Sequence, residues 1–402
     1  MKPNLPPLCA SPFILTFTLR GPRQFASGLL LALLLWSHPF AANAHTQSSA
    51  YLMINASPTG VSGQWDLALR DLEDAVGLDA NDDGVITWAE LSARKAAVCA
   101  YASSRLHVTG DGKPGAITIR EMLVDNHSDG AYAVLRFDVT GISRPAVLGL
   151  NYQAFFDIDP KHRGLLRLEN GDQTRVAVFS PETTCQQFDL TAAAAANVPN
   201  PFFTFVREGI WHIWSGYDHM MFLLALLLPG VLKRRAGTWE PVTEARPAFM
   251  NILKIVTAFT VAHSITLSLA ALGIVHLPVR LVESSIAASV VLAAFNNVIP
   301  FFAERGWMVA FGFGLLHGFG FANALADLGL HTQQMALTLF GFNVGVEIGQ
   351  LTIVAVFMPI ALSVRHLMFY QRIVLRMGSV AIMLVASTWL AERVLNFKWL
   401  PF

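Results

Sequence analysis

The segment "HIWSGYDH", His212 to His219, places two histidines and an aspartate at the mouth of a stretch apolar enough to enter a bilayer. An ionisable group at membrane depth costs roughly 2.5 to 3.5 kcal/mol on insertion scales, so such residues mark function by default. Further along, His263 stands in "FTVAHS" and His317 in "GLLHGFGFA". In "GFNVGVEIGQ", Asn343, Glu347 and Gln350 fall at i, i+4 and i+7, on one stripe of a helix. Neutral imidazole and carboxylate together suit nickel, cobalt, zinc or copper, and no cysteine occurs after Cys185 to offer a thiolate. The candidate transition-metal ligands are therefore His212, Asp218, His219, His263, His317 and Glu347. A regular helix would hold His212 and His219 on one face but about 10 Å apart, too wide for one ion. Two arrangements remain open. Either the helix breaks near Gly216 and the pair converges, or Asp218 and His219 join His263 and His317 while His212 waits at the mouth.

A second constellation is contiguous. "DANDDGVITWAE" matches the twelve-residue calcium loop of an EF-hand: Asp79, Asn81 and Asp83 at positions one, three and five, Gly84 at six, the Val85 carbonyl at seven, Thr87 at nine and Glu90 at twelve. Amphipathic helical patterns flank it over about 66–103. Ile86, at position eight, is apolar as expected of a loop that packs on a partner strand. Outside the cytosol such a loop meets steady calcium, so it reads as a structural brace that stabilises the fold by mass action. "FFDIDPKHRGLL" gathers Asp157, Asp159, His162 and Arg163, which reads as a polar turn at a strand end, with a second metal or contact site as the alternative.

These residues need elements to hold them. Of 402 residues 53% are hydrophobic and 14% charged, a membrane-protein balance, and the net formal charge of zero without long basic runs argues against a nucleic-acid partner. Arg20 and Arg23 followed by "FASGLLLALLLWSHPF" and "AANAH" have the order of a secretory signal, with cleavage expected after Ala44. A mature chain starting at His45 would offer an amine and an imidazole that could chelate copper. Export would let Cys99 and Cys185 form a disulfide. The expected organisation is a signal peptide over 1–44, an exported β-sandwich-like domain with the EF-hand insertion over 45–195, a linker over 196–204, and a six-helix membrane domain over 205–402. Spans are placed at about 210–231, 251–274, 281–302, 308–328, 337–362 and 373–394. Lys233, Arg234, Arg235, Arg246 and Lys254, and again Arg365, Arg372 and Arg376, mark the cytoplasmic side. This places the amino-terminal domain and the carboxyl terminus on the outer, periplasmic side of a bacterial inner membrane.

"HIWSGYDH", "FTVAHS", "GLLHGFGFA" and "GFNVGVEIGQ" resemble the membrane domain of the HupE/UreJ family of hydrogenase and urease accessory proteins, over about 205–395. The exported domain, with its "FFDIDPKHRGLL", resembles the longer branch of that family. Shorter members carry proline where this chain has Ile213. The resemblance implies a nickel or cobalt permease in which His212, Asp218 and His219 handle the metal. The reading is thus a non-enzymatic transition-metal permease with a calcium-binding periplasmic domain, with the metal ion and the lipid bilayer as partners. A non-transporting sensor or metallocentre assembly factor, whose periplasmic domain binds a protein, is the alternative. An intramembrane hydrolase built on Ser264, Ser284 or Ser285 is weaker, since neither a Gly-x-Ser-x-Gly elbow nor a His-Glu-x-x-His pattern lies near the spans.

Overall fold

The computed structural model describes residues 48–57, 59–127, 130–171, 173–191, 201–235, 238–275, 277–299, 301, 306–320 and 332–395. The expected leader with its cleavage site, Cys9 and His45 lie outside these residues.

The first half is β-rich. Strands β1 (Ser49–Ser57), β2 (Gly60–Ala68), β3 (Leu106–Gly110), β4 (Lys113–His127), β5 (Gly130–Thr140), β6 (Val147–Tyr152), β7 (Arg163–Asn170), β8 (Gln173–Phe179) and β9 (Cys185–Asp189) hydrogen-bond in the order β8-β7-β1-β2-β5-β4-β3-β6-β9. Neighbours pair antiparallel except β1 with β7, which run parallel. The order is continuous but falls into two sheets that share β4, one of β8-β7-β1-β2-β5-β4 and one of β4-β3-β6-β9, which keeps the sandwich-like character. The long strand β4 links the two, pairing with β3 near Lys113 and with β5 from Ala116 to His127. Tyr152 on β6 accordingly stacks on Phe179 of β8 and meets Trp65 of β2 edge-on, with ring centroids 5.3 and 5.4 Å away. All three rings are buried, and burying each such side chain contributes roughly 1.5–3 kcal/mol.

Between β2 and β3 come α1 (Leu69–Val76), α2 (Trp88–Ala93) and α3 (Lys95–Arg105). Alternation ends at Ala68 and helical spacing begins, which brings Leu69 and Leu72 inward. Gly77, at φ +66°, closes α1 in the left-handed conformation that glycine tolerates best. The expected Cys99–Cys185 bond is not formed. Both thiols are free, Cys99 half-buried on α3 and Cys185 exposed at the start of the edge strand β9.

The second half is helical: α4 (Pro201–Ser215), α5 (Tyr217–Leu227), α6 (Ala245–Ala271), α7 (Val279–Val298), α8 (Gly306–His317), α9 (Thr332–Val364), and α10 (Leu375–Leu395) after a π turn at Tyr370–Val374. Four helical stretches are long and apolar enough to cross a membrane: Ala245–Ala271, Val279–Val298, Gln334–Val364 and Tyr370–Leu395. α5 and α8 are shorter apolar helices. The expected span at 210–231 is divided between α4 and α5, and the linker expected to reach residue 204 gives way to helix at Pro201. The far end of the span expected at 308–328 lies outside the described residues.

Close packing without a hydrophobic drive requires small residues between helices. α8 lies on α6 through Gly314 and Gly318. A Cβ there would come 2.5 Å from the Phe259 carbonyl oxygen and 2.1 Å from Thr266 Oγ1. The β-rich domain sits on one end of the bundle. Tyr51, Leu165 and Val178 join Phe205, Ile213, Met335 and Phe342 in one apolar cluster, and Gln334 Nε2 donates to the Thr174 carbonyl at 3.0 Å. The loop between α5 and α6 holds a short hairpin, β10 (Leu232–Arg235) and β11 (Thr238–Pro241). Arg365 Nε donates to the Val242 carbonyl at 3.0 Å, so the basic loops share an end.

Candidate metal centre

The chain arrives at the site through α4 and breaks at Gly216. There the backbone is extended (φ −76°, ψ 101°) before α5 starts. No side chain fits at the break: a Cβ would meet the His212 carbonyl oxygen at 2.8 Å, His219 Nδ1 at 2.9 Å and Asp218 Oδ1 at 3.1 Å. The break folds the seven-residue interval back, so the His212 and His219 rings stand 4.6 Å apart between centroids. His263 from α6 lies 6.4 Å from each, and His317 at the end of α8 lies 5.1 Å from His219. The first arrangement left open by the sequence therefore holds, and of the second the meeting of His219 with His263 and His317 holds but the separate place for His212 does not. The helix is broken, and His219 also meets His263 and His317. His212 is part of the cluster.

Two groups of donors emerge. Single donor atoms of His212, His219 and His263 lie within 4.8 Å of one another, as do those of Asp218, His219 and His317. An ion bound at about 2.1 Å from each nitrogen needs donors roughly 3 to 4 Å apart, so modest closure completes either group. His219 belongs to both.

The surroundings aim each ring. His219 Nδ1 bonds Asp218 Oδ1 at 2.9 Å, which places the ring proton on Nδ1 and leaves the Nε2 lone pair available. Asp218 also accepts the His219 backbone N–H at 2.9 Å, in the first turn of α5 where the helix dipole favours a carboxylate. His317 Nε2 lies 3.0 Å from Ser289 Oγ, and Ser289 gives its own proton to the Ile286 carbonyl at 2.7 Å. His263 Nδ1 lies 3.4 Å from Asn343 Oδ1, and Asn343 Nδ2 is committed to the Leu339 carbonyl. The opposite nitrogens, Nε2 of His219, Nε2 of His263 and Nδ1 of His317, have no hydrogen-bond partner among the described residues. One nitrogen held by the protein and the other left as a donor is how metal-binding histidines are oriented. Phe222, Phe259 and Phe342 line the cluster with rings 5.1–5.2 Å from His317 or His212.

Glu347 lies apart. Its Oε1 accepts from Thr257 Oγ1 at 2.9 Å on the seam between α6 and α9, and it belongs to neither donor group. Gln350 is bonded by Thr260 Oγ1 at 2.9 Å on the same seam. Only Asn343 of the predicted stripe reaches the histidines, through a contact that orients His263. Ser289 is a residue that sequence reasoning missed. Its position four after Ser285 was a signal, since i and i+4 share a helix face. Ser264 and Ser285 donate to carbonyls of their own helices.

The loop at Asp79 to Glu90 forms a turn with its carboxylates directed at its own backbone. Asp79 Oδ2 accepts from Gly84 N at 2.7 Å, Asn81 Oδ1 from Asp83 N at 3.0 Å, and Asp83 Oδ1 from Val85 N at 2.8 Å. Thr87 caps α2 in a reciprocal capping box with Glu90. These bonds, from Thr87 first, hold the Glu90 carboxyl below the usual carboxylate range. Gly84 sits at φ +78°. α1 ends at Val76, three residues before Asp79, and Ile86 packs against the domain core. Among the described residues, Asp79, Asp83 and Glu90 do not form a donor group as tight as those in the bundle.

Asp157 bonds Arg105 at 2.6 Å and Asp159 Oδ1 accepts from Lys161 N, so this turn gathers no ligand set. It instead faces α4 and α5. Arg163 Nε lies 3.3 Å from Glu208 Oε2, and Lys161 Nζ lies 3.8 Å from the Tyr217 ring centroid.

A family model described as HupE / UreJ protein matches residues 189–393, which takes in every helix from α4 to α9 and nearly all of α10. No curated protein matches the chain.

Proposed function

Because the chain belongs to the HupE/UreJ family, we infer that it carries a nickel- or cobalt-type divalent cation across a bacterial inner membrane. The observation that supports this most is the convergence of imidazole donors at the helix break. His219, His263 and His317 each keep one ring nitrogen open through a hydrogen bond on the other, and His219 belongs to both donor groups. A carrier must release what it binds, and the two groups sharing His219 offer a route. The ion exchanges His212 and His263 for His317 while His219 Nε2 stays bound and Asp218 keeps its hold on Nδ1. In this reading the described helices make six passes, with α4 and α5 together forming the first. The β-rich domain and the carboxyl terminus face the periplasm, and the shared end of the basic loops agrees with this orientation. The Asp79–Glu90 loop holds calcium through Asp79, Asn81, Asp83, the Val85 carbonyl, Glu90 and a water near Thr87, and braces its domain. The protein is not an enzyme. Ser289 Oγ stands within reach of His317, as a hydrolase would need, but it is 1% exposed and its proton is spent on a helix carbonyl.

Proteoliposomes carrying the full chain test the assignment. Ni2+ accumulation should vanish in His219→Ala, with Ni2+ affinity in detergent falling by more than 100-fold. Ser289→Ala should cost only about tenfold in affinity, the scale of an orienting contact. Unchanged accumulation in His219→Ala removes the permease reading, and Ni2+ binding without movement favours the sensor.

A further inference from the structure

The turn of "FFDIDPKHRGLL" lies over the mouth of the histidine cluster, and what it presents there is positive. Lys161 covers Tyr217, the first residue of α5, and the Arg163 guanidinium lies 5.8 Å from the Trp211 ring while its Nε faces Glu208. The side chains of Arg163 and Glu208 are only 4% and 14% exposed. Burial holds the Lys161 ammonium below its ordinary range, against the pull of Asp159 and Asp218. Placing charge so deep is costly, and an apolar pair of similar size is often no less stable, so stability alone is a weak reason for a buried ion pair.

Glu208 precedes His212 by four residues, one turn of the same helix, so the two share a face. Arg163, Glu208 and His212 also line one small cavity with Ser49, Leu165 and Phe205. Its volume is about 10 Å³, room for one water at most. With the guanidinium in place this space has no room for a hydrated divalent ion. A carboxylate beside an imidazole, one turn outside a histidine cluster, has the donor chemistry of a first stop for the same ion.

We propose that Glu208 is an outer loading ligand for the divalent cation, and that Arg163 occupies it as a built-in competitor until the ion displaces it. This rests on the carrier reading above and adds to it a residue, a place and an order of events. An arriving divalent ion takes the Glu208 carboxylate from Arg163, His212 supplies the next donor, and the Arg163 side chain swings aside with the Lys161 turn before it. Arg163 returns once the ion has moved inward to His219 and His263. No bond is made or broken beyond ion pairing and coordination.

The test uses the full-length protein in detergent, with Ni2+ as the probe. Stopped-flow loading at subsaturating Ni2+ is measured beside the equilibrium count of ions bound, for wild type, Glu208→Gln, Arg163→Gln, Arg163→Lys and His219→Ala. Glu208→Gln should load about tenfold more slowly while binding the same number of ions. Arg163→Gln should load several-fold faster, and Arg163→Lys, which keeps the competing charge, should stay near wild type. The signs must oppose, because simple damage to the mouth would slow both substitutions. Equal rates in all three, or slowing in both Gln variants, overturn the proposal while leaving the histidine site standing. If His219→Ala binds Ni2+ as the wild type does, the carrier reading fails and takes the loading site with it.

Discussion

The loop at Asp79 to Glu90 and the cluster around His219 are both arrays of metal-type ligands, built in opposite ways. The loop is contiguous, exposed and shaped by its own backbone. Asp79, Asn81 and Asp83 accept from amides two to five residues away, and a reciprocal cap at Thr87 and Glu90 starts the next helix. The cluster draws on α4, α5, α6 and α8, with His212 and His317 more than a hundred residues apart, and its geometry exists only when those helices pack. A local site tolerates damage elsewhere in the fold. An assembled one depends on every close approach that brings its parts together.

Gly216→Ala should separate the two most sharply. The added methyl meets the His212 carbonyl at 2.8 Å and the His219 ring at 2.9 Å, so either the break straightens or the rings part. We expect Ni2+ affinity to fall by about 100-fold, equivalent to roughly 2.7 kcal/mol, with calcium-dependent stabilisation of the β-rich domain unchanged. Isothermal titration with each metal on the same preparation checks both halves. Retained nickel affinity would mean that the break does not shape the site.

The contrast also explains what could be read from the chain alone. The twelve-residue loop was readable as a pattern because it obeys one short spacing rule, and its local turn geometry follows from that spacing. The membrane histidines were legible as a set, since ionisable groups at such depth are few and costly. Their mutual geometry was not, because sequence fixes neither which helices touch nor how far a backbone kinks at Gly216. Glu347 shows the cost: its stripe with Asn343 and Gln350 is real, but the stripe lies on the α6–α9 seam, where Thr257 bonds one Glu347 oxygen and Thr260 bonds Gln350. The strands likewise showed themselves by alternation, while the double role of β4 needed long-range pairing that alternation does not encode. Cys99 and Cys185 failed as a pair because a count of thiols contains no distance.

The reverse experiment removes the local site. Glu90→Gln takes away the twelfth-position carboxylate and should abolish calcium-linked stabilisation, which for a site filled at a hundred times its Kd is about 2.7 kcal/mol. Thermal unfolding of the β-rich domain with and without Ca2+ measures it. Equilibrium Ni2+ binding should not change. An unchanged melting temperature of the wild type across calcium concentrations would show that the loop does not act as a brace.

Between the two sites lies a buried polar chain that answers to pH. Ser48 Oγ donates to Asp71 Oδ2 at 2.6 Å and contacts His162 Nδ1, while Tyr152 hydroxyl meets His162 Nε2 at 2.7 Å. Burial, and then the charges of Arg163 and Arg70, press the His162 pKa down to about 3. The unfolded chain would hold this proton near the ordinary 6.5, so between about 6.5 and 3 the unfolded state binds more protons. Stability from His162 is therefore complete above pH 6.5 and declines as the pH falls, by about 2 kcal/mol at pH 5. Asp71 works the other way. Burial raises its pKa, so the folded state holds the extra proton from the ordinary carboxylate range upward and gains from acid. The His162 contribution is isolated by comparing wild type with His162→Gln in melts from pH 7 to pH 5. The wild type should lose more stability over that interval, and parallel curves would show that the ring does not stay neutral in the fold. The sensitivity belongs to the same turn that carries Arg163 to Glu208, so acid should loosen the mouth of the assembled site before it disturbs the exposed loop.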